Sequence, residues 1–282
     1  MKYLVIGASG QVGKALLRLL RGHDVVGTGH SRATDDLVTL DLADLEAVGR
    51  LIRKMRPAGI FVPGGVTAVD WSESHETQAR KICVDGTVAV QEAAKAVRAH
   101  VVYFSTDYVF SGKAGPYREE DPPDPVSAYG RAKFDGERAA TRGTILRTSM
   151  VYSGDPESKN FHNYVRDALR AGKTVKAFSD QSGSPTYAPS LARAALEAMD
   201  LRFQGLVHLA GPEVLTRLEF ARRVARAYGL DGSRIVPVTS EELPLPAARP
   251  KVGGLLVDKA RAAFKSPLTP LSSALVEMAK PN

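Results

Sequence analysis

Tyr129 and Lys133 stand four residues apart in the stretch PVSAYGRAKFDGERAA. Residues i and i+4 share one face of a helix, so this spacing brings a phenol and an ammonium within reach of one ligand. A phenol can donate a proton, and a neighbouring cation eases its ionisation. Solvated helices also yield such pairs by chance, so the pair needs partners elsewhere in the chain before it means chemistry.

The elements that must position the pair follow from the hydrophobic rhythm. KYLVIG, DVVGTG, DLVTLDL, GIFVPGG, HVVYFST and TILRTSMVY read as strands. Between them lie helical segments such as VGKALLRLLRG, DLEAVGRLIRKMRP, HETQARKICVDGTVAVQEAAKAVRA and AYGRAKFDGERAA. Such alternation predicts an α/β fold of the Rossmann type, a doubly wound parallel sheet. Residues 1–152 form this dinucleotide-binding domain. Residues 153–282, where loops and proline-rich runs such as SEELPLPAARPKVGG replace the rhythm, form a smaller substrate-binding part interleaved with the end of the sheet.

A partner for the pair stands at the start of the chain. In LVIGASGQVGKALLRLL, Gly7, Gly10 and Gly13 follow an apolar strand and open a helix. Glycine there permits a tight turn and close approach of backbone to a pyrophosphate, and the helix N-terminus offers free amides to the anion. Gly7, Ser9, Gly10, Gln11, Val12 and Gly13 are the expected cradle. At the end of the second strand, Ser31 and Arg32 offer the hydroxyl and cation that a 2′-phosphate needs, which favours NADP(H) and leaves NAD(H) open. Asp35 or Asp36 would take the ribose instead if that strand ends elsewhere. Asp41 and Leu42, closing the third strand, would lie beside the adenine.

The 282 residues carry a net charge of +7, with 44% hydrophobic and 24% charged residues. That balance suits a globular protein with an anionic ligand. The cations are scattered among Asp and Glu with no basic block, which argues against nucleic acid. The opening apolar run is too short for a leader or a membrane span. Cys83 is the single cysteine, which excludes an intrachain disulfide and suits a reducing cytoplasm.

Several motifs occur in a fixed order: GASGQVG, TAVDWSE at 67–73, STDYVF at 105–110, YGRAK, LRTSMVY, NF at 160–161, DQSGSPT at 180–186 and ARP at 248–250. In these the chain resembles the extended short-chain dehydrogenase/reductases and, more narrowly, the dTDP-4-dehydrorhamnose reductase family, over nearly its whole length. The resemblance implies an NADP-dependent reductase of the 4-keto group of a nucleotide deoxysugar. Thr106, at the carboxyl end of a strand, would hydrogen-bond the substrate oxygen. Tyr129 would donate the proton, and Lys133 would stabilise the phenolate and hold the nicotinamide ribose. Thr67, Val69, Asp70, Asp107 and Met150 would meet the sugar, and Asn160, Phe161 and Arg249 the pyrophosphate or base.

The sequence also departs from that family. Cys83 stands where many members carry an asparagine of a water relay to the lysine. Pro63, Gly64 and Gly65 replace an asparagine-alanine run, so the backbone beside the nicotinamide takes its own course. Met150 occupies a position often held by tryptophan, which removes a flat stacking surface. Ala15 replaces a glutamate of some magnesium-linked dimers, so no metal is expected. A homodimer stays one option for the assembly. Two other functions share these motifs. One is an NADP-binding regulatory subunit similar to the β subunit of methionine adenosyltransferase. The other is a nucleotide-sugar epimerase or dehydratase, disfavoured because Asp107 and Tyr108 follow Thr106 where dehydratases place an Asp-Glu pair.

Overall fold

The structure, a computed structural model, describes residues 1–30, 34–266 and 268–279. Seven parallel strands form its central sheet: β1 (Lys2–Ile6), β2 (Asp24–Gly29), β3 (Val38–Thr39), β4 (Gly59–Val62), β5 (His100–Thr106), β6 (Thr144–Thr148) and β7 (Gly205–His208). Their spatial order is β7-β6-β5-β4-β1-β2-β3. Helices cover both faces, so the inner strands β4 and β5 are buried throughout and read as continuous apolar runs.

Strand alternation sorts the side chains into two layers. Tyr3 and Val5 join Phe61, Val102 and Leu146 in a core closed by α1 (Gln11–Leu19) and the helix Ala188–Asp200. Leu4 and Ile6 join Ile60, Val101 and Tyr103 beneath α2 (Leu45–Met55) and α3 (Gly86–Val97). The chain order reverses between β1 and β4. The glycine turn after β1 and Pro63–Gly65 after β4 therefore flank one crevice, the place where open α/β sheets bind ligands.

A separate apolar cluster, including Tyr152, Val165, Val175, Phe220, Val224, Leu271 and Leu275, fills the C-terminal part. It is built around α5 (Phe161–Arg170) and α7 (Arg217–Ala227), with α4 (Ala128–Ala139) and α6 (Ala188–Asp200) completing the main helices. A two-stranded parallel pair, Val175–Phe178 with Ile235–Val238, flanks this cluster.

Two strands differ from the sequence reading. The third shrinks to two exposed residues at the sheet edge. The stretch 144–152 breaks at Ser149–Met150, where Met150 takes φ 45°, and resumes as Val151–Tyr152 paired with Thr186–Tyr187. A left-handed methionine costs about 1–2 kcal/mol, and such strain clusters at ligand sites.

Candidate active site

Ser127 sets the register of the helix that carries Tyr129 and Lys133. Its Oγ accepts from the Gly130 amide at 3.2 Å, capping α4 so that Tyr129 falls in the first turn and Lys133 one turn on. Small residues bring this helix close to its neighbours. A Cβ at Gly130 would lie 2.3 Å from the Tyr108 carbonyl oxygen, and one at Gly136 2.4 Å from Tyr103 Oη and 2.6 Å from the Cys83 carbonyl oxygen. The fixed approach of α4 places Tyr129 and Lys133 against the carboxyl end of β5, beside Thr106.

Lys133 is buried. Its Nζ donates to the Phe104 carbonyl at 2.7 Å and lies 4.4 Å from the centre of the Tyr103 ring. Burial by itself disfavours the ammonium, yet Tyr103, Cys83 and Tyr129 outweigh it and hold its pKa above the ordinary lysine value. The Tyr129 ring packs edge-on to Tyr108 at 5.6 Å. Burial pushes its phenol up to about 12, with Lys133 and the Thr106 hydroxyl pulling the other way. Asp107 is buried as well. Burial raises its carboxyl pKa, against hydrogen bonds from Ser149 Oγ at 2.5 Å and Thr106 Oγ1 at 3.3 Å and the nearby Arg217 charge.

A cleft of about 430 Å³ runs from the glycine turn to these side chains. It is lined by Gly7, Gly10, Gln11, Val12, Gly13, Gly64, Gly65, Thr67, Val69, Thr106, Asp107, Tyr129, Lys133, Met150 and Phe161, among others. At Gly7 and Gly13 the turn is packed so tightly that only glycine fits. Gly7 has φ +92°, and a Cβ there would lie 2.4 Å from Gly64 Cα; at Gly13 it would lie 2.3 Å from the Gly7 carbonyl oxygen. No side chain caps α1, which leaves its first amides to a phosphate. These residues fit a dinucleotide. Ser9, Lys14, Thr34 and Asp36 line an adjoining pocket of about 480 Å³, so of the two aspartates weighed for the ribose, Asp36 is the one beside this pocket.

The remaining expected residues divide. Asn160 and Arg249 line, with Phe161, a second cavity of about 710 Å³ that continues the cleft through Tyr108, Ser158, Lys159, Phe161 and Arg217. Asn160 also caps α5, its Oδ1 accepting from the Asn163 amide at 2.9 Å, while its Nδ2 donates to Gln11 Oε1 at 2.9 Å. Asp70 lines neither cavity. It pairs with Arg249 at 2.9 Å and accepts from the Ala247 amide at 3.1 Å, aiming the arginine. Asp41 and Leu42 line neither the cleft nor the adjoining pocket: Asp41 Oδ1 accepts from the Ala43 amide at 2.8 Å, and Leu42 packs in the core under α2 and α3. Ser31 and Arg32 lie outside the described residues.

Sequence reasoning missed Arg217 and Lys159, which border both cavities. The Arg217 guanidinium lies 5.3 Å above the Phe161 ring, between the cleft and the larger cavity. The only sequence signal is a lone arginine opening an amphipathic helix, and that does not distinguish it from a solvated one. Cys83 is buried, within a π turn at Lys81–Asp85 that leads into α3. Ala15 is buried on α1. Among the described residues no group of three or more His, Cys, Asp or Glu is placed to hold a metal ion, and no helix is long and apolar enough to cross a membrane.

The family model of the RmlD substrate binding domain matches residues 1–282. The chain belongs to that family. The dTDP-4-dehydrorhamnose reductase of Streptomyces griseus is 35% identical over 293 aligned positions, covering 98% of this chain and 92% of its own. A dTDP-4-dehydrorhamnose reductase of Bacillus anthracis, solved in complex with NADP, superposes with a TM-score of 0.90 at 27% identity, covering 99% of each chain. The methionine adenosyltransferase 2 subunit beta of Xenopus laevis is 31% identical, over 84% of this chain and 75% of its own. The chain is thus similar to both kinds of relative that the motifs suggest.

Proposed function

We propose that this RmlD-family chain is an NAD(P)-dependent oxidoreductase, with NADPH favoured, that reduces the 4-keto group of a nucleotide deoxysugar. The observation that carries the reading is the meeting of Thr106, Tyr129 and Lys133 at the same cleft as the glycine turn.

When bound, NADPH supplies the hydride. Gly7, Gly10, Gln11, Val12 and Gly13 would hold its pyrophosphate, and Gly64 and Gly65 would face the nicotinamide end. Tyr129, held near 12, stays protonated at neutral pH, the form needed to give a proton to the oxygen of the reduced carbonyl. The Lys133 ammonium stabilises the phenolate left behind. Thr106 Oγ1 hydrogen-bonds the same substrate oxygen and keeps it in line with the phenol. Thr67, Val69, Asp107 and Met150 border the sugar, while Arg217, Lys159 and Arg249 supply positive charge for the diphosphate in the larger cavity. A single buried cysteine suits a reducing, cytoplasmic setting.

A second reading, a regulatory subunit that binds NADP and acts on a methionine adenosyltransferase, rests on the Xenopus laevis relative. NADPH oxidation with a panel of 4-keto nucleotide sugars separates the two. Oxidation that requires one sugar supports the reductase. Tight NADPH binding, no turnover on any sugar and a stable complex with a methionine adenosyltransferase catalytic subunit would support the regulator.

A further inference from the structure

The end of the sheet opposite the cleft has a chemistry of its own. Each of the five helix-to-strand turns that feed the sheet carries an exposed arginine: Arg21, Arg56, Arg98, Arg142 and Arg202. Arg56, Arg98 and Arg202 take φ of 50°, 60° and 48°. Glycine or asparagine ends a helix in that region with less strain, so backbone geometry alone does not account for arginine at three such positions.

Three of these turns close around a cavity of about 390 Å³ whose charged lining is Lys95, Arg98, Arg142 and Arg202. No Asp or Glu lines it, and the ion pairs of the described residues engage other cations. The C-termini of α3, α4 and α6 lead into these turns, and their partial negative charges, about half a unit each, offset less than half of the four positive ones. Two buried side chains complete the wall. Gln91 Nε2 donates to the Arg142 carbonyl at 3.1 Å, holding that turn, while its Oε1 has no partner among the described residues. His100 Nε2 is hydrogen-bonded to Thr144 Oγ1 at 3.0 Å; burial first, and then the Arg202 charge, hold its pKa below the ordinary histidine value. The positive field is therefore felt inside the wall as well as at the mouth.

We propose that this cavity binds a compact oligophosphate anion, free or carried by a nucleotide, remote from the reductase cleft. Four cations lining one cavity match two or three linked phosphoryl groups. No Phe, Tyr or Trp lines the cavity, so a base gains nothing there by stacking.

Calorimetric titration with inorganic tripolyphosphate, at 0.15 M salt, with NADPH saturating and in an Arg217→Ala background, tests the assignment, because NADPH then occupies the glycine turn and the substitution weakens the cavity that would take the substrate diphosphate. The expected result is one site that persists beside NADPH, weakens as salt rises, and loses at least tenfold in affinity in Arg98→Ala/Arg142→Ala. Lys95→Ala, a single exposed change, gives a smaller loss in the same direction and guards against a folding defect in the double variant. ATP run in parallel distinguishes the sources: equal affinity points to free oligophosphate, tighter binding to a nucleotide. Absence of binding, displacement of tripolyphosphate by NADPH, or affinity unchanged in both variants overturns the proposal.

Discussion

Glu137 and Arg147 meet in a buried two-point ion pair that ties the helix bearing Tyr129 and Lys133 to β6. Arg147 Nε donates to Glu137 Oε1 at 2.9 Å and Nη2 to Oε2 at 2.7 Å, with the two side chains 4% and 5% exposed. Ser105 Oγ donates to the same carboxylate, and the guanidinium lies 4.9 Å above the Phe110 ring. Removing one partner leaves a bare charge in the core. Glu137→Leu is expected to lower the unfolding free energy by about 3–5 kcal/mol, and Glu137→Leu/Arg147→Met to recover most of that. Denaturant titration of the three proteins measures it, and a double variant as unstable as the single one would refute the coupling.

The glycine turn makes a prediction about binding alone. Gly13→Ala would set a Cβ 2.3 Å from the Gly7 carbonyl oxygen and 2.5 Å from Ala8 Cα, both backbone atoms that cannot turn aside. The turn must open, so the amides that meet the pyrophosphate lose their alignment. NADPH affinity by fluorescence titration is expected to fall at least tenfold, about 1.4 kcal/mol. Unchanged affinity would mean that the pyrophosphate lies elsewhere.

These two features also mark what the sequence made legible. The glycine turn and the Tyr129–Lys133 helix are local patterns, written within a few residues and set by backbone sterics and capping, so they read directly from the chain. Gly205–His208 did not stand out as a strand, because four residues acquire that identity only by pairing with β6. Arg217 and Lys159 join the cleft only through the packing of the C-terminal cluster. The third strand reads as seven residues in the sequence and spans two in the fold, because pairing stops at Thr39 and Leu40 and Leu42 turn into the core.

One source of acid sensitivity should lie in the C-terminal core, and another at the buried His208 of the main sheet. His162 is fully buried, its ring hydrogen-bonded to Asn163 Oδ1 at 3.0 Å and Tyr228 Oη at 3.1 Å. Burial, reinforced by Arg166, lowers its pKa from 6.5 to about 4, against hydrogen bonding to Asn163. Below pH 6.5 the unfolded chain binds a proton that the folded one refuses, so stability falls as the pH drops towards 4, by at most about 1.4 kcal/mol per pH unit. Unfolding midpoints measured from pH 7 to pH 4 should show a shallower decline in His162→Gln than in the parent. Identical slopes would remove His162 from the account.

Arg217 should separate substrate binding from cofactor binding. It borders the cleft and the larger cavity, but not the pocket beyond Ser9. Arg217→Ala is expected to raise KM for the nucleotide sugar about tenfold, the size of one lost charged hydrogen bond, while the NADPH dissociation constant stays put. Steady-state kinetics beside a fluorescence titration reads both. Equal weakening of both ligands would place the arginine at the cofactor instead.

The central claim is that Tyr129 delivers the proton. The most direct test is kcat for NADPH oxidation on the accepted 4-keto nucleotide sugar, compared between the parent and Tyr129→Phe, which keeps the ring and removes only the hydroxyl. The account predicts a fall in kcat of about 10²–10⁴-fold, the usual worth of a positioned acid, with NADPH affinity nearly unchanged. A variant that turns over at the parental rate would contradict it.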